Sequence, residues 1–246
     1  MSNFDSELNI AREASLIASK ILISNKDKLN KVLSNEGRDI KLKADIESES
    51  AIKKYLETNS KYPILGEEFG ANMELGNSFW VIDPLDGTSN YSRNFPICCI
   101  SIALIYHGEI VLGLINNFNR DDIYESTINS KALLNGNEIQ VSSIKEISKA
   151  TLTTGFPAKG NFDQNFIQGF SEDLLKWKKV RMIGSAAMSC AYVASGQFDQ
   201  YQESSIFLWD VAAGLSLIRS AGGKFSYKSH KDDIFKLDVI ANNGSL

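Results

Sequence analysis

The segment Phe79-Trp80-Val81-Ile82-Asp83-Pro84-Leu85-Asp86-Gly87-Thr88-Ser89-Asn90 constrains the chain more than any other. It starts as an apolar strand bound for the interior and ends abruptly in two carboxylates, a proline, a glycine and hydroxyls. Burying carboxylates is costly unless something positive meets them, so the stretch reads as a metal site. Asp83 leaves the strand end, Pro84 stiffens the turn and removes one backbone donor, and Asp86 follows closely enough for both carboxylates to face one point. The carbonyl of Leu85 can point the same way. Hard cations such as magnesium take oxygen ligands in near-octahedral array and keep water or substrate phosphate in the remaining positions. Gly87 lets the chain approach a ligand closely, and Gly87, Thr88 and Ser89 can open a helix whose free amides receive a phosphate. The same residues also make an ordinary polar turn at a strand end, so this stretch alone leaves both readings open.

Two other stretches add acid. Gly66-Glu67-Glu68-Phe69-Gly70 follows the apolar Tyr62-Pro63-Ile64-Leu65 and should turn one carboxylate inward and the other to solvent. Trp209-Asp210-Val211-Ala212-Ala213-Gly214 places an aspartate at the head of an apolar helix, where a negative charge also suits the helix dipole. The three stretches together carry enough acid for two or three divalent ions.

In that order, Glu67-Glu68, Trp80 to Asn90 and Trp209 to Gly214 resemble the signature motifs of the inositol monophosphatase family of magnesium-dependent, lithium-sensitive phosphatases. The resemblance runs from the first helix to the C-terminus. It implies an α/β layered sandwich, α-β-α-β-α, of the inositol monophosphatase/fructose-1,6-bisphosphatase type, with the site between two halves. It also implies a homodimer. By resemblance, Glu67, Asp83 and the Leu85 carbonyl hold a first magnesium, and Asp83, Asp86 and Asp210 hold a second. Glu67 and Thr88 orient the attacking water, and amides near Gly87 and Thr88 hold the phosphate. Asp45 matches the family's aspartate that supports the threonine, although it also fits a helix cap. Gly184 and Ala186 match residues that contact the substrate ring, although small residues there equally permit close packing. Glu203 matches a glutamate that bonds a sugar hydroxyl. Family members often carry a lysine in the loop before Asp45; here Ser34 to Arg38 offers only Arg38.

With 43% apolar residues among 246, the chain can bury a large core as two packed halves, an N-terminal metal-binding half (1–145) and a C-terminal substrate-binding half (146–246) meeting near Ser142 to Lys149. The net charge of −4 argues against a broad nucleic-acid-binding surface, so substrate phosphate must be met by metal. Cys98, Cys99 and Cys190 have neither disulfide-framework nor zinc-site spacing and read as buried apolar residues in a reducing cytosol. The N-terminus lacks the pattern of a signal peptide, and the run Ile97 to Tyr106 is about half the roughly 20 residues a membrane span needs, so a cytoplasmic protein is expected. His107 and His230, the two histidines, lie beside turn residues and read as surface side chains.

Helices are expected from Phe4 to Ile21, through Ile52 to Leu56, from Phe166 to Trp177, after Gly184, and from Leu208 to Ala221. Asn35 to Asp39 reads as a loop, and Asn135-Gly136-Asn137 as a hairpin turn between strands at Ala132–Leu134 and Ile139–Val141. The function expected is hydrolysis of inositol monophosphate or a similar polyol or sugar phosphate by metal-activated water. The alternatives are fructose-1,6-bisphosphatase, histidinol-phosphatase or 3'(2'),5'-bisphosphate nucleotidase activity, or a regulatory binding protein on the same fold.

Overall fold

The computed structural model describes residues 4–36, 39–156 and 163–246. In chain order, helix α1 (Asp5–Ser24) and the single turn α2 (Lys26–Leu29) lead into strands β1 (Val32–Glu36) and β2 (Asp39–Leu42), followed by α3 (Lys43–Asn59). Strands β3 (Ile64–Gly66), β4 (Gly70–Ala71) and β5 (Phe79–Asp86) come next, then the short α4 (Thr88–Ser92) and strands β6 (Cys99–Tyr106), β7 (Glu109–Asn117), β8 (Asp122–Thr127), β9 (Leu133–Leu134) and β10 (Asn137–Glu138). The C-terminal part contains β11 (Thr151–Thr154), α5 (Gln164–Leu174), β12 (Lys179–Arg181), α6 (Ala186–Ala194), β13 (Gln200–Phe207), α7 (Leu208–Ser220), β14 (Lys224–Ser229) and β15 (Lys236–Asn242).

Besides the two-stranded β1-β2 pair, the described strands form two large sheets, a first of eight strands in the order β10-β9-β8-β7-β6-β5-β3-β4 and a second of five in the order β12-β11-β13-β15-β14. Helices α1 and α3 cover the outer face of the first sheet, α6 and α7 fill the space between the sheets, and α5 lies on the outer face of the second. The layers therefore alternate α-β-α-β-α.

Residue alternation on the central strands explains the order of the layers. On β6, Ile100, Ile102 and Leu104 pack with α1 and α3, whereas Cys99, Ala103 and Ile105 pack with α6 and α7. Both faces of β5 are apolar in the same way, with Trp80 and Ile82 on one side and Phe79 and Val81 on the other. Such strands have to lie between two helical layers, because either face left in water would expose apolar side chains worth roughly 1.5–3 kcal/mol each on burial. Trp80 is fully buried, and its indole N–H donates to Ser60 Oγ at 2.8 Å, which satisfies its one polar atom.

Several local expectations are revised. Asn35 and Glu36 belong to β1 and Asp39 to β2, which pair antiparallel, so these residues are strand rather than open loop; Gly37 and Arg38 lie outside the described residues. Ile139–Val141 is not a strand: the two-residue β10 ends at Glu138, after a turn in which Asn135 and Gly136 both take positive φ. Beyond it, the amides of Ile139 and Val141 bond to Ala132 and Ala221 outside any ladder. The three cysteines are buried and unpaired. Among the described residues, no helix is long and apolar enough to cross a membrane.

Candidate active site

The strand expected to stop at Asp83 runs on to Asp86, and an irregularity in its pairing decides where the acids point. Asp83 pairs with Ser101 and Asp86 with Cys99, with a shift of register between them. On a regular strand, residues three apart face opposite sides. A bulge re-aims them, and Pro84, which has no N–H to lose from the ladder, sits inside it. As a result Asp83, Asp86 and Asp210 bring carboxylate oxygens within 4.8 Å of one another. Strand β3 lies parallel to β5, and the amide of Glu67 donates to the Ile82 carbonyl, which sets the Glu67 carboxyl beside that of Asp83.

Each of these acids is held by a different element. Asp86 is bound by the start of α6: Ser185 Oγ donates to Oδ2 at 2.5 Å, the Ala187 amide to Oδ2 at 2.8 Å and the Ala186 amide to Oδ1 at 3.3 Å. Asp83 Oδ1 accepts the Leu85 amide at 2.9 Å. Asp210 stands in the first turn of α7, where Oδ2 accepts the Phe207 amide at 2.9 Å. Asp45 holds the equivalent place on α3: Oδ2 accepts the Leu42 amide at 2.6 Å, and Oδ1 lies 2.8 Å from the Thr88 hydroxyl. For both aspartates the helix-end role and the site role coexist, because one oxygen closes the helix start and the other is left to face inward.

Helix α3 supports the site along one face. Asp45 meets Thr88, Ser48 Oγ donates to the Pro84 carbonyl at 2.8 Å, and Glu49 accepts the amides of Glu68 and Phe69. Thr88 Oγ1 is also 3.0 Å from the Leu85 carbonyl. Gly87 adopts φ +89, and a Cβ there would come within 2.9 Å of the Ile97 carbonyl, so the turn between the acids and α4 requires glycine.

The electrostatics are those of an uncompensated acidic cluster. Burial raises the proton affinities of Asp83, Asp86 and Asp210, and neighbouring carboxylates add to the rise for Asp83 and Asp210. Hydrogen bonds from Ser185, Ala187 and Ala186 pull Asp86 back down. Glu67 is exposed to solvent. The protein atoms crowded around its carboxyl, and the charges of Asp210, Asp45 and Glu68, hold it well above the ordinary carboxylate range, while water tempers the effect. Burial lifts Asp45 to about 7. The pair turns one carboxylate inward and the other to solvent, as expected: Glu67 is the exposed one, whereas the Glu68 side chain is 6% exposed and forms an ion pair with Lys41, whose own proton affinity that contact raises.

Of these acids, Asp86 and Asp210 border a cavity of about 290 Å³ that also touches Thr88, Gly184, Ala186 and Glu203. Gly184 has φ +72 and its carbonyl, like that of Ile183, accepts from the Asn90 side chain. Ala186 contributes its amide to Asp86 as well as lining the cavity. Glu203 Oε2 accepts the Tyr201 hydroxyl at 3.1 Å, and burial raises its pKa to about 7. A larger hollow of about 430 Å³ lies between α5 and the second sheet and shares Glu203 with the first, but none of the clustered aspartates borders it. Neither His107 nor His230 lines the acidic cavity; His230 pairs with Asp238 at 3.0 Å.

Three clustered carboxylates, Asp83 and Asp86 buried and Asp210 half-buried, with no lysine or arginine among the main influences on any of them, fit divalent metal binding better than a metal-free resting state. Sequence reasoning missed Ser48, Glu49, Lys41 and Ser185, whose partners are distant in sequence. Only the spacing of Asp45 and Glu49, one helical turn apart, signals a shared face.

The Inositol monophosphatase family profile matches residues 4–246, and the chain belongs to the inositol monophosphatase family. It is 38% identical over 222 residues to the Nus factor SuhB of Xylella fastidiosa, covering 88% of this chain and 80% of that relative. It is 33% identical over 252 aligned positions to the inositol-1-monophosphatase of Synechocystis, covering 100% of this chain and 87% of the relative. The structure of inositol monophosphatase from Anabaena superposes with a TM-score of 0.85 at 32% identity, covering 99% of this chain and 93% of that one.

Proposed function

We propose that the protein is a magnesium-dependent phosphomonoesterase acting on inositol monophosphate or a similar polyol or sugar phosphate. The observation that carries this reading is the convergence of Asp83, Asp86 and Asp210 within 4.8 Å, with Asp86 and Asp210 bordering a cavity that includes Thr88 and Glu203. Glu67, Asp83 and the Leu85 carbonyl would hold one magnesium, and Asp83, Asp86 and Asp210 another. Bound there, magnesium would supply the positive charge that offsets the substrate phosphate and makes water more acidic.

The protein's own groups do the orienting. Asp45 accepts the Thr88 proton, which leaves the hydroxyl oxygen free to accept a hydrogen bond from water. Glu67 accepts the other proton of that water and turns its oxygen toward phosphorus. The amides of Gly87 and Thr88 bind phosphate oxygens. The water oxygen forms a new P–O bond as the bond to the alcohol oxygen breaks on the opposite side. The water passes one proton on through Glu67, the departing alkoxide takes one up from solvent, and the alcohol and inorganic phosphate are released. Glu203, already fixed by Tyr201 through one oxygen, offers its other oxygen to a substrate hydroxyl, and Gly184 and Ala186 bound the ring. These contacts favour a polyol over a histidinol phosphate or a nucleotide bisphosphate; fructose 1,6-bisphosphate is the nearest competitor. A cytoplasmic, lithium-sensitive homodimer completes the reading.

Initial rates over inositol phosphates, fructose 1,6-bisphosphate, histidinol phosphate and adenosine 3',5'-bisphosphate at fixed magnesium test it. Asp210→Asn should lower turnover by at least a hundredfold in a protein that remains folded; near-normal hydrolysis would refute the assignment. A second reading, a regulatory binding protein, draws on the relative named as a Nus factor. The complete acidic set favours catalysis over it. Magnesium-dependent phosphate release separates the two.

A further inference from the structure

The turn that carries Glu67 is clamped by a carboxylate with no part in the chemistry above. Glu49 lies on α3, fully buried, four residues beyond Asp45. Its Oε2 accepts the amide of Glu68 at 2.8 Å and its Oε1 the amide of Phe69 at 3.1 Å. Lys53 Nζ stands 4.0 Å from Oε1 and 5.2 Å from the centre of the Phe69 ring, so one ammonium touches both the clamp and the end of the turn it holds. On the other side of Glu67, Gly66 presses on the same group: a Cβ at Gly66 would come within 2.0 Å of Glu49 Oε1.

The arrangement is costly if its purpose is packing alone. Burial pushes the Glu49 proton affinity up, and a charge at this depth is weak evidence for stability, since apolar side chains of similar volume often do as well. What a carboxylate provides and an apolar side chain lacks is two acceptors, and both are given to consecutive amides on the C-terminal side of Glu67. The main chain from Gly66 to Phe69 is thereby fixed at both ends, and with it the direction in which the Glu67 side chain departs toward Asp83.

We propose that Glu49 is a positioning residue for Glu67: through the Glu68 and Phe69 amides and the bare face of Gly66, it holds the 66–69 turn so that the Glu67 carboxyl stays beside Asp83. This inference rests on the function proposed above, and its test is chosen so that the two fail differently.

Two variants approach the clamp from opposite sides. Glu49→Gln keeps the size of the side chain but offers one acceptor, with an NH₂ facing the second amide. Gly66→Ala leaves the carboxylate intact and displaces it. Manganese binding by calorimetry, kcat and KM on inositol 1-phosphate, and thermal unfolding are measured for both. The expected result is a manganese Kd raised at least tenfold and a kcat lowered at least tenfold, with KM changed less than threefold, and a double variant no worse than the poorer single one. Metal affinity and kcat within twofold of wild type, with only the melting temperature lowered, would overturn the inference and leave the function standing. A wild-type protein that neither binds manganese nor releases phosphate overturns both. Hydrogen exchange on the wild type needs no variant: saturating magnesium should slow exchange of the Glu68 and Phe69 amides at least tenfold, and unchanged exchange contradicts the clamp.

Discussion

Replacing Asp83 by asparagine should make the metal-free protein more stable and the magnesium-loaded protein less so. Asp83 is 1% exposed, and its oxygens lie within 4.8 Å of those of Asp86 and Asp210. Two unit charges at that separation repel by about 3.5 kcal/mol at an effective dielectric constant of about 20. Because burial and the neighbouring acids raise the proton affinity of Asp83, the metal-free protein escapes part of this cost by holding protons, so a gain of about 1–3 kcal/mol is expected for asparagine. Asparagine retains an oxygen for the Leu85 amide, so the local turn keeps its hydrogen bond. For a chain of this size 1 kcal/mol corresponds to about 2–4 °C in melting temperature, giving a rise of about 2–12 °C in EDTA. Wild type should instead gain about 2.7 kcal/mol from magnesium at a hundred times its Kd, a rise of about 5–11 °C, while Asp83→Asn gains little. Calorimetric scans at pH 7.5, with EDTA and with magnesium, measure all four values. A variant less stable than wild type in EDTA, or one that responds equally to magnesium, refutes the reasoning.

The metal-free protein should also become more stable as pH falls from 7.5 to 5.5. Asp45 and Glu203 have folded pKa values of about 7, above the ordinary carboxylate values of the unfolded chain, so the folded state binds more protons and stability is lost as pH rises through that window; denaturant midpoints across the range, with EDTA and with magnesium, should show the slope in EDTA and its flattening by the metal. Ser185→Ala removes both the 2.5 Å bond to Asp86 and the N-cap that accepts the Met188 amide. It should cost about 1–2 kcal/mol in urea titration and raise the magnesium concentration for half-maximal rate more than it raises KM for substrate.

The sequence carried individual helices and strands and most of the acids because their signals are local, whereas the order of the layers came from the resemblance to the family. The apolar spacing of α1 and the continuous apolar run of β5 mark an amphipathic helix and a buried strand, and the family motifs contain the acids themselves. What escaped depends on pairing across the chain. The β1–β2 pair was hidden because the polar stretch Asn35 to Asp39 reads as a loop. The bulge at Pro84 and Leu85 exists only against β6, and the Glu68–Lys41 pair needs the hairpin folded back on the turn. Ser185 looked like one more small residue at a helix start until Asp86, 99 residues earlier in the chain, was seen to accept its proton. Glu203 was visible as an isolated acid, but its fixed orientation comes from the Tyr201 hydroxyl and from the displaced register between Glu203 and Ile206 on β13.

Asp45 and Asp210 each give one oxygen to the opening amide of a helix, Leu42 for α3 and Phe207 for α7. Fraying at either helix start would swing the acid away from the pocket, so the grip on a cation depends on two rods staying wound at their first turns. Conversely, a cation gripped there would tighten both windings at once, and the amides of Leu42 and Phe207, far apart in sequence, would report its arrival together.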